Sequence, residues 1–273
     1  LAEDPSLPPL LDAVARLAHQ AGEVVMRIYA TDFAVQGKAD ASPVTLADQQ
    51  AENLILAGLR ALTPHIPIVA EEAMAAGQAP SLVGASRFWL VDPLDGTREF
   101  VARNGEFTVN IALIQDGQPL LGVVLAPALP GPAGGAPGCL YAGIVGQGAW
   151  LEDAGGRRAI GCRRSPADGL TVMASRSHGD AAALDGFLAG YLAGRRVAHL
   201  GNAGSSLKLC LLAAGQADLY PRLGRTMEWD IAAGHAVLAA AGGTVCRVDD
   251  GRPLVYGKPG FENPHFVAAG AGG

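Results

Sequence analysis

Apolar residues return every three or four positions at Leu11, Val14, Ala18, Ala21, Val25 and Ile28, the spacing of one face of an α-helix. A second helix is expected to open at Thr45, with Asp48 three positions on in a capping-box-like arrangement, and to run through Leu54, Ile55 and Leu59. The pattern then changes to short apolar runs at residues 66–70 and 87–92, which read as strands. Residues 107–115 and 119–126 flank Asp116-Gly117-Gln118 and read as a hairpin. Residues 129–138, rich in Pro and Gly, predict a long loop leading to strands near 140–145 and 149–151. After a polar, basic stretch at 157–168 the order becomes strand (170–175), helix (181–192), strand (196–200), helix (205–214), strand (217–220) and helix (229–241). Such alternation predicts an α/β layer. A boundary near residue 165 then divides the chain into an N-terminal α+β lobe, residues 1–165, and a C-terminal α/β lobe, residues 166–273.

Composition narrows the function more than the fold. A chain of 273 residues, 49% hydrophobic and 17% charged, can bury a core and is not disordered. Its net charge of −6, with no basic block, excludes a nucleic-acid polymer as the expected partner. The four cysteines are widely spaced and form no zinc pattern, and Cys210 and Cys246 lie in apolar contexts that suggest burial. No secretory signal is read and no apolar run approaches the roughly 20 residues that span a bilayer. The expected compartment is the cytoplasm, free or peripheral on the inner face of the membrane.

Candidate chemistry comes from acids placed at the ends of apolar runs. Glu71 and Glu72 follow Ile68-Val69-Ala70, Asp92 and Asp95 follow Phe88-Trp89-Leu90-Val91, and Asp230 opens the last helix. Ligand crevices in open α/β layers lie at strand ends and helix starts, and hard oxygen donors suit Mg²⁺. Pro93 and Gly96 would tighten the turn so that both aspartates face one pocket with the Leu94 carbonyl between them. Taken singly, each has a plainer reading. Asp-Gly after a strand is a turn, paired glutamates are a solvated surface, and Asp230 is a helix N-cap.

Together the segments Ala70-Glu71-Glu72, Trp89-Leu90-Val91-Asp92-Pro93-Leu94-Asp95-Gly96-Thr97 and Trp229-Asp230-Ile231-Ala232-Ala233-Gly234 resemble the signatures of the inositol monophosphatase superfamily, in its order and spacing. The run from Arg98-Glu99-Phe100 through Asn104-Gly105-Glu106-Phe107-Thr108-Val109-Asn110-Ile111-Ala112-Leu113 resembles its CysQ branch, the 3'(2'),5'-bisphosphate nucleotidases, and so do Gly204-Ser205-Ser206-Leu207-Lys208 and Leu219-Tyr220-Pro221-Arg222. The resemblance implies a layered αβαβα sandwich with two or three Mg²⁺ ions between its lobes. Glu71, Asp92 and the Leu94 carbonyl would hold one ion; Asp92, Asp95 and Asp230 a second; Glu71 would help position a third. It assigns Thr97 and Asp48 to the attacking water, whereas Asp48 read without it is only the capping acid. Glu72 is either behind the ligands or exposed.

The expected substrate is a small phosphate ester, adenosine 3',5'-bisphosphate, cleaved to AMP and phosphate by a monomer or homodimer. Asp95, Gly96, Thr97 and Asp230 would touch it. Gly204, Ser205 and Ser206, ahead of a helix with free N–H groups, would hold an anion. Lys208 and Arg222 would neutralise a second phosphate, and His178, after a strand, would line the nucleotide side or sit in a turn. Trp229 would flank the base or simply pack. An inositol-1-phosphate phosphatase, a sugar bisphosphatase and a non-catalytic metal- or phosphate-sensing protein are the competing readings; the last would have lost a ligand or Thr97.

Overall fold

The computed structural model describes residues 4–31, 43–131, 134, 137–175, 181–192 and 194–271. Two long helices come first, α1 (Leu7–Tyr29) and α2 (Pro43–Leu62), then β1 (Ile68–Ala70), α3 (Glu71–Ala75), β2 (Arg87–Asp95) and α4 (Thr97–Val101). A meander follows: β3 (Thr108–Gln115), β4 (Gln118–Pro130), β5 (Pro137–Ile144), β6 (Gly148–Asp153) and β7 (Gly156–Ile160). The remainder is β8 (Leu170–Ser175), α5 (Ala181–Tyr191), β9 (Val197–Ala203), α6 (Leu207–Ala213), β10 (Leu219–Arg222), α7 (Glu228–Ala240), β11 (Thr244–Arg247) and β12 (Phe266–Ala269).

Strands β1 to β7 form one sheet in chain order, and a second sheet runs β11-β12-β10-β8-β9. Alternation along β2 explains how the layers stack. Trp89, Val91 and Leu94 pack with the apolar faces of α1 and α2, while Phe88 and Leu90 face the other way, into a core shared with α6, α7 and the second sheet. Leu170, Val172 and Leu219, on the far face of the second sheet, pack against Leu188 and Leu192 in and just beyond α5. The result is the expected αβαβα sandwich.

Several local expectations are corrected. Helix α2 begins at Pro43, not Thr45, so Asp48 lies inside the helix and is not a capping acid; proline fits a first helical position because its missing N–H would be unpaired there anyway. The hairpin turns on two residues, Asp116 (φ 51°) and Gly117 (φ 74°), the double positive φ that matches strand twist. Strand β7 overlaps the start of the stretch read as polar and basic; it is a sheet edge with mostly exposed side chains, so no apolar alternation marks it. The four-residue strands β11 and β12 are too short to show a period. Cys210 is buried, but Cys246 is only half-buried.

Candidate active site

The acids arrive at the site by different local devices. Glu71 is the first residue of α3, directly after β1, because Ala70 is still extended (φ −131°, ψ 146°). The α3 N-terminus is held by α2: Glu52, 4% exposed, accepts the N–H groups of Glu72 (2.8 Å) and Ala73 (2.9 Å).

In a regular strand, residues three apart point to opposite faces, so Asp92 and Asp95 should diverge. They do not, because β2 is bulged: Asp92 pairs with Asn110 and Asp95 with Thr108, so three steps on β2 match two on β3. The bulge contains Pro93, which has no N–H to give to the ladder. The Leu94 side chain goes to the α1/α2 core, while its N–H donates to Asp92 Oδ1 at 3.0 Å. Gly96 follows at φ 92°, a conformation that strains other residues, and a Cβ there would lie 3.2 Å from the Glu106 carbonyl oxygen. Thr97 then opens α4 and is exposed on the cavity wall.

Asp230 is not the N-cap of α7. Met227 holds that place, and Asp230, at the third helical position, turns its Oδ2 back to accept the Met227 N–H at 2.8 Å. The acid thus occupies the carboxylate half of a capping box.

Glu71, Asp92, Leu94, Asp95, Thr97 and Asp230 line one cavity of about 280 Å³. Burial pushes the carboxyls up, and their mutual repulsion adds to it: Glu71 and Asp95 to about 7, Asp230 to about 6, and Asp92 well above the usual carboxylate range. Glu71 and Asp92 are within hydrogen-bond reach of each other. Asp48 is buried one layer behind; desolvation, then the charges of Glu72 and Glu71, raise it to about 8. Among the described residues no three acidic, His or Cys side chains make a ready-made metal cage. The donor set nevertheless fits a hard divalent ion. Mg²⁺ takes few carboxylates and completes its shell with water and phosphate, and positive charge is what this crowded acidic wall lacks.

Lys208, Arg222 and Arg225 line the same cavity. Lys208 is 3% exposed; burial lowers its ammonium to about 8, although the Asp95 charge works the other way. Its Nζ donates to the carbonyls of Ala203 (3.0 Å) and Ser205 (2.6 Å), so it fastens the segment entering α6. Arg222 is buried beside Tyr220 and donates from Nη2 to the Arg225 carbonyl at 3.0 Å; its Nε is buried with no partner among the described residues.

Ahead of α6, one N–H group is already taken by a protein acid. Gly204 donates to Glu106 Oε2 at 2.8 Å, and the Ser206 N–H helps to hold the Asp95 carboxyl down. Ser205, at φ 45°, lines the cavity with a buried hydroxyl that has no partner among the described residues. Ser206 donates from Oγ to the Asp230 carbonyl. Trp229 packs against Phe261, with centroids 6.1 Å apart, and is not on the cavity wall. His178 lies outside the described residues.

The inositol monophosphatase family model matches residues 7–269. The chain belongs to the inositol monophosphatase family. The 3'(2'),5'-bisphosphate nucleotidase CysQ of Escherichia coli O157:H7 is 47% identical over 264 residues, covering 94% of this chain and 98% of that protein. The protein of the same name from Buchnera aphidicola is 40% identical over 239 residues, covering 86% and 83%. Among solved structures, CysQ from Bacteroides thetaiotaomicron, a bacterial member of the family, superposes with a TM-score of 0.80 at 34% identity, covering 95% of this chain and 97% of that one. An inositol monophosphatase from Zymomonas mobilis gives 0.76 at 25%, covering 97% and 93%. The resemblance to the CysQ branch therefore holds along nearly the whole chain.

Three residues of this family site escaped the sequence reading. Fully buried Asn110 donates from Nδ2 to Asp95 Oδ2 (3.4 Å), Ser206 Oγ (3.2 Å) and the Asp230 carbonyl (3.4 Å), joining β2, α6 and α7. Its signal was a lone amide inside an apolar strand, which must find partners. Glu52 gave none beyond a helical acid, and Arg225 none beyond a loop cation.

Proposed function

We infer that this chain is a metal-dependent phosphomonoester hydrolase, a 3'(2'),5'-bisphosphate nucleotidase that converts adenosine 3',5'-bisphosphate to AMP and phosphate. One observation carries the reading. A single cavity has a wall of four charge-crowded carboxylates and, within electrostatic reach of Asp230, the cations Arg222 and Arg225. An acidic wall suits the reacting phosphate through a metal, and cations suit a second phosphate that does not react. The identity to nucleotidases named CysQ supports the same substrate.

The proposed ligands are Glu71, Asp92, the Leu94 carbonyl, Asp95 and Asp230, for two or three Mg²⁺ ions. When bound, Mg²⁺ supplies the positive charge that offsets the phosphate and eases loss of a water proton. The protein supplies the rest. Thr97, exposed on the wall, orients the attacking water. Asp48, held near 8 by burial and by Glu72 and Glu71, would take its proton. Arg222 fixes the second phosphate, with Arg225 beside it. Lys208 contributes charge, but its hydrogen bonds go to the 203–205 backbone. The lobes at 1–165 and 166–273 meet, in this proposal, around the bound substrate.

Phosphate release from adenosine 3',5'-bisphosphate and from inositol 1-phosphate, with Mg²⁺ and with EDTA, tests this. Faster turnover of the inositol ester would sink the nucleotidase reading, and equal rates in EDTA the metal. Arg222→Ala should raise KM for the bisphosphate by about tenfold, the scale of one charge-assisted hydrogen bond, and more than for the simple monoester.

A further inference from the structure

The chain between β11 and β12 folds over the start of α7, and buried polar groups hold it there. Glu228, the first residue of α7 and wholly buried, accepts the N–H groups of Gly257 (2.7 Å) and Lys258 (2.9 Å) and pairs with Lys258 Nζ at 2.6 Å. That ammonium also donates to the Val255 carbonyl (2.6 Å) and to Asn263 Oδ1 (3.2 Å). Asn263, itself 5% exposed, completes the strap from the other end.

The contacts of Asn263 fall on the two peptide units that flank Met227. Its backbone N–H donates to the Thr226 carbonyl at 2.9 Å. The same peptide unit carries the Met227 N–H, which donates to Asp230 Oδ2 at 2.8 Å. On the next unit, Asn263 Nδ2 donates to the Met227 carbonyl at 2.7 Å, and it also reaches Thr226 Oγ1 at 3.3 Å. Only an amide offers these two donations and an acceptor for Lys258 at once; an aspartate would turn acceptors toward a carbonyl.

We propose that Asn263 is a positioning residue for Asp230: it locks the peptide planes around Met227 so that the Met227 N–H holds the Asp230 carboxylate in its ligating orientation. Asn263 is not on the wall of the metal cavity, so it acts through the backbone alone. The proposal rests on the reading of Asp230 as a metal ligand. Partners that orient a ligand are commonly worth 10–100-fold in metal affinity.

The test uses the full chain and Mn²⁺, whose free-ion EPR signal reports binding without turnover. Asn263→Asp should weaken Mn²⁺ binding by about tenfold. Its kcat should return at saturating Mg²⁺, with KM for the bisphosphate unchanged. A lowered Tm with unchanged Mn²⁺ affinity would make Asn263 a purely structural clamp and overturn the proposal. Should the aspartate variant not fold, Asn263→Ser removes the amide donors without adding charge: weaker Mn²⁺ binding upholds the proposal and unchanged binding overturns it. If the unaltered protein takes up no Mn²⁺, the metal reading itself has failed, and the proposal with it.

Discussion

At the scale of single residues the site is a balance of buried charge. Asp95 shows it most directly: burial and the Asp230 charge raise its pKa to about 7, while Lys208, Asn110 and the Ser206 N–H work to keep it ionised. Removing one carboxylate charge while keeping its shape should therefore cost function without costing the fold. Asp95→Asn is expected to lower phosphate release by about a hundred- to a thousandfold, as loss of a group that stabilises charge in the transition state commonly does. Its Tm without metal should stay the same or rise, since a crowded acid has gone, and its Mg²⁺-induced rise should shrink. A variant that keeps wild-type turnover would remove Asp95 from the ligand set.

At the scale of elements, the fold's main service is to bring α7 against the first sheet closely enough for Asp230 to meet Asp92 and Asp95. Gly122 on β4 makes that approach possible. A Cβ there would stand 2.3 Å from the Ala233 carbonyl oxygen and 2.7 Å from Ala236 Cβ, far inside normal contact. Gly122→Val should therefore push α7 outward. It is expected to destabilise the protein by about 1–3 kcal/mol, the usual range for overpacking. Because the displaced helix carries Asp230, the Mg²⁺ concentration for half-maximal activity should rise too; urea titration and a Mg²⁺ series measure the two effects. A loss of stability with unchanged Mg²⁺ dependence would show that α7 can shift without moving the carboxylate.

For the whole molecule, so many raised carboxyls in one place couple stability to pH and metal. Unfolded carboxyls release their protons near pH 4, but the folded protein keeps those of Asp230 to about 6, Glu71 and Asp95 to about 7 and Asp48 to about 8. Over that window the folded state binds more protons than the unfolded one. The stability linked to these groups is fully present below about pH 4 and is lost as pH rises toward about 8. Metal replaces the protons, so the rise in Tm on adding Mg²⁺ should be larger at about pH 8 than at about pH 5.5. Scanning fluorimetry with and without Mg²⁺ checks this, and an equal rise at both values would count against a metal site at these acids.

How much of this was legible beforehand follows from which interactions are local. The helices, the hairpin at Asp116-Gly117-Gln118 and the acidic run Asp92 to Thr97 could be read because each is encoded by neighbours in the chain, and the family with its layered fold came from the resemblance that the motifs carry. What the tertiary structure alone decided depends on partners far apart in sequence. The β2 bulge that turns Asp92 and Asp95 to one face exists only in register with β3. The N–H of Gly204 is taken by Glu106, 98 residues away in the chain. Asn110, Glu52 and Asn263 acquire their roles only when residues many positions away supply the groups they hold. A sequence shows which polar groups must be satisfied on burial; only the folded chain shows which of them satisfy one another.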